Sequence, residues 1–516
     1  MAGLKSEPDE TYRTIVHRAN YSRPTENTDV SPQENTTRRN FLKTTGAIVG
    51  AGSVVGLSAA GAAAASDREP GFSAGAAQRD ITPPVGMKIT HYVRENKGAH
   101  DPLFVRTLVL EDGDGNSVAL ITGDLIGAGF VACDEIRERV KKATGVGEVW
   151  FSCSHSHAAR WLVPTPKPGQ ERTDELAWDE GEDHPITDDP AELKWNNDVH
   201  KAIVEIVTEA KAKAVPVTLR IGRAQAQVGF NRRITGPDGY TYMGVNREAP
   251  AVPWVNVLVA NARETNKPVA VMFEHAAHPV TVPHTSKLVS ADFPGAAVAR
   301  IRQDLGDDVI ALFGQGCSAN INSFPLRSTH DDADSVGQKL GDAALKAVRE
   351  SELVKATTLK IRNSKTQLPT QDLPPAEMVA ELIEKHKDEP ERIKQLKKIT
   401  AMRESGGTPA PRRFDVYGVM LGDDWCLVGM PFETFCQLEL WIDENAPFKR
   451  TMTFSLTNGG RGYIGSDEGL AMGSNGGYEA GSLPGWIGHE TMSPNLGPPA
   501  VGTEKIIKQA VKDLWA

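Results

Sequence analysis

Two histidines separated by a single residue, His155 and His157, stand at the end of the apolar run Val149-Trp150-Phe151-Ser152-Cys153. In an extended chain alternate side chains share a face, so a buried strand here would deliver both imidazoles to one spot at its carboxyl end. Imidazole is a common metal ligand and an acid/base group near neutral pH, which suits a metal centre or a proton relay. A surface turn carrying two histidines would show the same spacing, so other parts of the chain must supply the remaining ligands. Pro268 to Phe273 leads into Glu274-His275-Ala276-Ala277-His278-Pro279, a second apolar run that ends in histidines. Val309 to Phe313 leads into Gly314-Gln315-Gly316-Cys317-Ser318-Ala319-Asn320-Ile321-Asn322, whose small residues let the backbone approach a ligand closely. Pro431-Phe432-Glu433-Thr434 places a carboxylate at the start of a predicted apolar helix that includes Leu438 and Trp441.

The elements that must position these residues are legible from local pattern. Leu103 to Leu110 and Val118 to Ile121 flank the turn Glu111 to Ser117 and predict a hairpin, with Asp124 just past the second strand. Ala132 to Ala143 has helical spacing and precedes the strand that feeds His155. Asn196 to Ala214, Asp332 to Ser351 and Glu504 to Leu514 also read as helices, and Ala376 to Glu404 as a helical hairpin broken near Pro390. Phe414 to Leu421 and Trp425 to Met430 predict a second hairpin around Gly422-Asp423-Asp424. Together these predict an α/β fold: a layered, mixed β-sheet core flanked by helices, with a metal site at strand ends.

The 516 residues, 40% hydrophobic, are enough for a large enzyme domain. The formal charge is -10 and no basic stripe is present, which argues against nucleic acid as a partner. Acid concentrates in a segment from Pro164 to Leu193, read as a long loop: a lid over the site or simply mobile. Residues 1–65 read as an address, not as structure: Thr37-Arg38-Arg39-Asn40-Phe41-Leu42-Lys43 precedes a Gly/Ala-rich run and Ala63-Ala64-Ala65. That order is the pattern of a twin-arginine signal behind a disordered leader, and it predicts export to the periplasm or beyond, with residues 66–516 as the mature domain. The five cysteines are odd in number and lack CxxC spacing, so they are expected as buried apolar residues.

The order of these pieces resembles the neutral/alkaline non-lysosomal ceramidase family. The resemblance runs from Ala74 to about Thr503 and rests on Asp80-Ile81-Thr82-Pro83, His155-Ser156-His157, His278-Pro279, Pro431 to Thr434, Asn458 to Tyr463, and Tyr478-Glu479-Ala480. It implies a zinc site at His155, His278, Glu433 and Tyr463, with His157 as a proton carrier and Arg232 holding a substrate oxygen. It also implies hydrolysis of an amide by metal-activated water, with a lipid amide as substrate and hence transient contact with a membrane surface. His275 and His284 have no matched role. The family carries a Gly-Asp-Val-Ser-Pro-Asn loop, and the gapless match puts Asn322 at its serine; Ser318 fills that place only if the loop shifts by four residues. Gly460 stands where the family has a further tyrosine and Gly477 where it has an arginine. The resemblance implies a short form without the family's C-terminal immunoglobulin-like domain. Oligomeric state and a second ion near Asp124 stay open. So do two other functions: a zinc hydrolase of another secreted amide or ester, and a non-catalytic, metal-containing binding protein.

Overall fold

The computed structural model describes residues 71–89, 94–165, 189–481 and 497–516, so the expected twin-arginine leader and residues 166–188 of the acidic segment Pro164 to Leu193 lie outside the described residues, while Pro190 to Leu193 open a helix and not a loop. The chain opens with β1 (Phe72–Asp80), then β2 (Phe104–Glu111) and β3 (Ser117–Gly123), the expected hairpin. Its turn is set by Asp112, whose Oδ1 accepts the backbone N–H groups of Asp114 and Asn116 at 3.0 and 2.9 Å. That is the local bonding by which aspartate favours turns. Helix α1 (Phe130–Thr144) buries Ala132, Cys133, Ile136 and Val140 along one face and stops at Gly145, which takes the left-handed conformation at φ 68°. β4 (Glu148–Cys153) follows, fully buried, and α2 (Pro190–Ala212) begins at Asp189, whose side chain caps the N–H of Ala191.

β5 (Val215–Gln225), β6 (Gly229–Thr235), β7 (Thr241–Asn246), β8 (Trp254–Ala262) and β9 (Pro268–His275) come next, then α3 (Asp292–Leu305), β10 (Ile310–Gln315), β11 (Ile321–Ser323) and α4 (His330–Arg349). The principal sheet runs in the order β10-β9-β8-β5-β1-β2-β3-β4, with the short strand Glu352–Leu353 also on β5. Only its two ends are parallel, β3 with β4 and β9 with β10, each pair connected through a helix. The middle is antiparallel, so the sheet is mixed as expected.

A second sheet consists of β12 (Leu359–Ser364), β13 (Val416–Leu421), β14 (Trp425–Gly429) and, after α5 (Ala376–Lys385), α6 (Pro390–Glu404), β15 (Glu433–Thr434) and α7 (Cys436–Asn445), β16 (Arg450–Phe454). It packs on the principal sheet: Leu108, Leu258, Met272 and Leu312 share a core with Val419, Leu427 and Phe454. The opposite face of the principal sheet is covered by α1 and α2 over one half and α3 and α4 over the other.

β4 and β10 are the two outermost strands in the pairing order, yet one segment bonds to both. Ser455 N–H donates to the Gln315 carbonyl of β10 at 2.8 Å, while Asn458 N–H donates to the Phe151 carbonyl of β4 at 2.8 Å. The Asn458 Oδ1 accepts the Phe151 N–H at 2.9 Å, so one asparagine pairs both polar backbone groups of that residue. Ser455 to Asn458 therefore joins the sheet's two margins. Leu456 and Asn458 sit at φ 51° and 57°, a region that only asparagine and glycine visit with ease. The last elements are β17 (Tyr463–Ile464), the short α8 (Gly477–Ala480) and α9 (Thr503–Trp515).

Two expectations change. Glu433 does not start a helix: it lies in β15, parallel to β17, and α7 begins three residues later. Asp124 is not a free carboxylate at a sheet edge, since its Oδ2 accepts from Arg106 at 2.8 Å and from the Phe104 N–H at 2.9 Å. All five cysteines are buried and free, as expected.

Replacing Asn458 by alanine leaves the buried Phe151 N–H without an acceptor and puts in the left-handed region a residue that lacks asparagine's tolerance of it. Urea unfolding of Asn458→Ala should show a loss of about 2–4 kcal/mol. A midpoint and slope equal to the parent's would refute the closing role of this residue.

Candidate metal centre

His155 follows β4 with its backbone at φ 68°, and its Nδ1 lies 2.6 Å from the Ile126 carbonyl. His278 follows β9 and is fully buried, with Nδ1 2.7 Å from the Ser318 carbonyl. A carbonyl only accepts, so in each ring Nδ1 carries the proton and Nε2 is left to face the site. Both Nε2 atoms meet one oxygen of Glu433, Oε2, at 3.2 Å for His155 and 2.8 Å for His278. Glu433 is delivered from a strand, and the preceding Phe432 is held at φ 63°. Strained residues on both approaches, His155 and Phe432, are characteristic of backbones over-determined by their surroundings.

This convergence is electrostatically incomplete. Burial, followed by the positive charge of Arg232, pushes the His278 imidazole down to about 4. A neutral His278 with its proton on Nδ1 presents a lone pair to the carboxylate oxygen, which is itself an acceptor. Burial alone would raise the Glu433 carboxyl, but the two imidazoles beside it, His155 before His278, outweigh burial and hold it below the usual range as a carboxylate. Two acceptor nitrogens and a carboxylate at hydrogen-bond distance are the donor set of a cation. The ligating atoms of His155, His157 and His278 also lie within 4.8 Å of one another, and no other such cluster occurs among the described residues. The His157 ring stands edge-on to His155, centroids 4.9 Å apart. Distance alone thus does not separate His157 from the two expected ligands.

Tyr463 is placed by the β15–β17 pair directly opposite Glu433. Burial, then the negative Glu433, pushes its phenol well above the usual value, so with these neighbours it keeps its proton. Arg232, on β6, is buried between Tyr463 and Tyr478, 5.6 and 5.7 Å from the two ring centroids. Its Nε donates to Glu479 at 2.7 Å and its Nη1 to the Asn322 Oδ1 at 2.9 Å, while Nη2 is buried without a partner. Burial favours the neutral form, but Glu479 and the surrounding phenols and Glu433 more than offset it, so the guanidinium stays charged.

Asn322 therefore stands beside Arg232. Ser318 is elsewhere: its carbonyl backs His278 and its buried Oγ accepts from Gln315 Nε2 at 2.5 Å. Glu479, which also accepts from Arg233 at 2.7 Å, is the residue that sequence reading left without a role. Two adjacent arginines next to a buried site required a carboxylate partner, and that was the available signal. The two glycines at Gly460 and Gly477 are dictated by the backbone, with φ 86° and 73°. A Cβ at Gly460 would come 2.7 Å from the Phe432 nitrogen, and one at Gly477 would overlap the Thr241 carbonyl. His275 is local as expected, its Nδ1 2.7 Å from the Trp254 carbonyl.

Behind the Gly314–Asn322 loop lie two buried carboxyls, Glu274 and Glu439, with Gly316 against both. Glu274 Oε2 accepts from Asn256 at 2.7 Å and Glu439 Oε2 from the Cys317 N–H at 2.8 Å, so the pair anchors the loop whose Ser318 carbonyl holds His278.

No family model matches the chain, and no curated protein matches it. Solved structures do. Neutral ceramidase from Pseudomonas aeruginosa superposes with a TM-score of 0.60 at 16% identity, over 87% of this chain and 74% of that one. A ceramidase complexed with C2 superposes with a TM-score of 0.60 at 15% identity, over 87% and 75%. The chain has the neutral ceramidase fold.

The Glu274–Glu439 pair carries a pH signature. Burial pushes Glu439 up to about 7 from an ordinary 4.5. A carboxyl raised in the folded state contributes stability that is complete below its unfolded value and gone once pH has passed its folded value. Relative to Glu439→Gln, the parent should thus lose stability as pH rises from about 4.5 to about 7. Parallel stability–pH curves from denaturant unfolding of the two proteins would contradict a raised Glu439 carboxyl.

Proposed function

We propose that the chain is an exported, zinc-dependent hydrolase of the ceramidase type, cleaving the amide of a ceramide-like N-acyl lipid. The observation that carries this reading is the meeting of His155 Nε2, His278 Nε2 and Glu433 Oε2 with no proton donor among them, next to a buried arginine with one unpaired nitrogen. The fold shared with neutral ceramidase supports it, and the twin-arginine pattern at Thr37 to Lys43 supports export.

His155, His278 and Glu433 would hold the ion, with Tyr463 completing the set. Zinc bound there supplies Lewis-acid polarisation of a carbonyl and acidifies water toward a pKa of roughly 7. The other residues handle the substrate. Arg232 Nη2 donates to the oxygen that gains charge as the amide is attacked. Arginine has no acceptor, so the Asn322 atom facing it must be Oδ1, and the Asn322 amide N–H groups are the ones left for substrate. Glu479 holds the guanidinium in place, and His157, edge-on to His155, carries the proton to the departing amine.

Asn322 beside Arg232, in place of a hydroxyl residue, favours a second reading: hydrolysis of another secreted amide or ester, or binding without turnover. Elemental analysis of the purified protein should give about one zinc per chain. Chelation should abolish hydrolysis, and His278→Ala should lose both metal and activity. Fluorescent ceramide assayed beside short N-acyl amides and esters separates the readings, and zinc-loaded protein inert to all of them leaves the binding role. Asn322→Ala should lower kcat about 100-fold with Ser318→Ala little changed. The reverse order would reassign the hydroxyl to Ser318.

A further inference from the structure

The small sheet β7-β6-β11 contributes Arg232 from β6 and Asn322 from β11. Two residues beyond each, the same backbone puts an apolar side chain in solvent: Ile234 after Arg232 and Phe324 after Asn322. The edge strand β7 adds exposed Tyr242, Met243 and Val245, and Leu326 lies just past Phe324. Among the described residues ten large apolar side chains are exposed, and six of them are these. Concentration on one small sheet, with the other four scattered, marks an interaction surface and not the usual apolar share of a protein exterior.

We propose that this sheet is a docking surface for a lipid interface, and that it holds the strands bearing Arg232 and Asn322 against the layer from which an N-acyl lipid is drawn. The choice of lipid rests on the proposed function. The surface itself rests on three observations. Tyr242 and Met243 are consecutive in a strand and so point to opposite faces, and both are exposed. A flat protein partner or an added strand covers one face or one edge, whereas a fluid lipid phase covers both exposed faces of a strand. Arg247 lies over Phe230 at 4.0 Å and Phe324 at 5.2 Å, so a guanidinium sits at the root of the apolar group, the pairing of cation and ring that suits a headgroup layer. The inner end of β7 is fixed to the site, since Thr241 is buried and packs against Gly477 of the helix bearing Glu479. Whatever the sheet rests on is thereby held at a set distance from Arg232.

The test uses the purified protein with phosphatidylcholine vesicles, with and without phosphatidylglycerol, in sedimentation. Met243→Ser with Val245→Ser should weaken vesicle partitioning about tenfold. A control carrying Val85→Ser and Val501→Ser, exposed elsewhere, should match the parent. On a short, water-soluble N-acyl substrate the β7 variant should keep the parent's kcat/KM, while on ceramide in vesicles it should fall with partitioning. A parent that ignores vesicles, or partitioning unaffected by the β7 changes, overturns the proposal. So does a parent dimer in analytical ultracentrifugation that the β7 changes dissociate, which would give the surface to a second copy. Vesicle binding needs no turnover: partitioning that depends on β7 without any amide hydrolysis would keep the surface and remove the substrate reading.

Discussion

The joining of two sheet margins by four residues is the constraint on which the site depends. In pairing order β4 and β9 are separated by most of the principal sheet and share no ladder; beyond their ends the His157 N–H donates to the Pro279 carbonyl at 3.3 Å, but something must still draw the strands themselves together. The segment Ser455 to Asn458 does so by bonding to β10 on one side and β4 on the other. It then continues through Gly460 into β17, which pairs with the strand that carries Glu433. One stretch of backbone thus fixes the distance between the histidines and, a few residues on, the lateral position of the carboxylate and Tyr463. The strain at Leu456, Asn458, Phe432 and His155 falls along this path, and extensive burial on either side is what sustains it.

Closure also sets the electrostatics. Each imidazole is oriented by a backbone carbonyl, of Ile126 or of Ser318, so the proton is committed outside the site and a lone pair inside. Orientation by carbonyls fixes the tautomer without adding charge, which leaves Glu433 as the only ligand that brings charge. The arrangement without a cation carries unresolved repulsion between acceptors, and the binding of one relieves it. Arg232 is treated oppositely. It is buried with a full complement of negative or π-rich neighbours, Glu479, Tyr463 and Tyr478, so its charge survives where that of a lone guanidinium would be costly.

What was legible in the sequence was local. The strand leading to His155, the Asp112 turn, both long hairpins and most of the helices, α3 excepted, follow from side-chain alternation, turn residues and helical spacing within short windows. Glu433 was misplaced onto a helix because Phe435, Leu438 and Trp441 have helical spacing while the two-residue strand before them has no pattern of its own. β15 exists only because β17, distant in sequence, pairs with it. The closing segment was invisible for the same reason: Ser455 to Asn458 reads as an ordinary strand end, and its partners Phe151 and Gln315 lie far off in the chain. The expectation that His155, His278, Glu433 and Tyr463 lie together came instead from the order of short motifs, which carries long-range information that periodicity cannot.

The two glycine departures and the asparagine departure have different physical weight. Gly460 and Gly477 occupy left-handed backbone against neighbouring main chain, so a tyrosine or arginine there requires a different path, not simply a different side chain. Asn322 is different in kind, because it keeps the backbone bridge to His278 and changes only the group offered beside Arg232. A hydroxyl both donates and accepts, whereas an asparagine whose oxygen is committed to arginine only donates. The two groups at this point of the site, Arg232 Nη2 and the Asn322 amide, are then both donors, and an acceptor such as a carbonyl oxygen is the partner that satisfies them. That asymmetry selects for an acceptor at this point, whatever is attached to it.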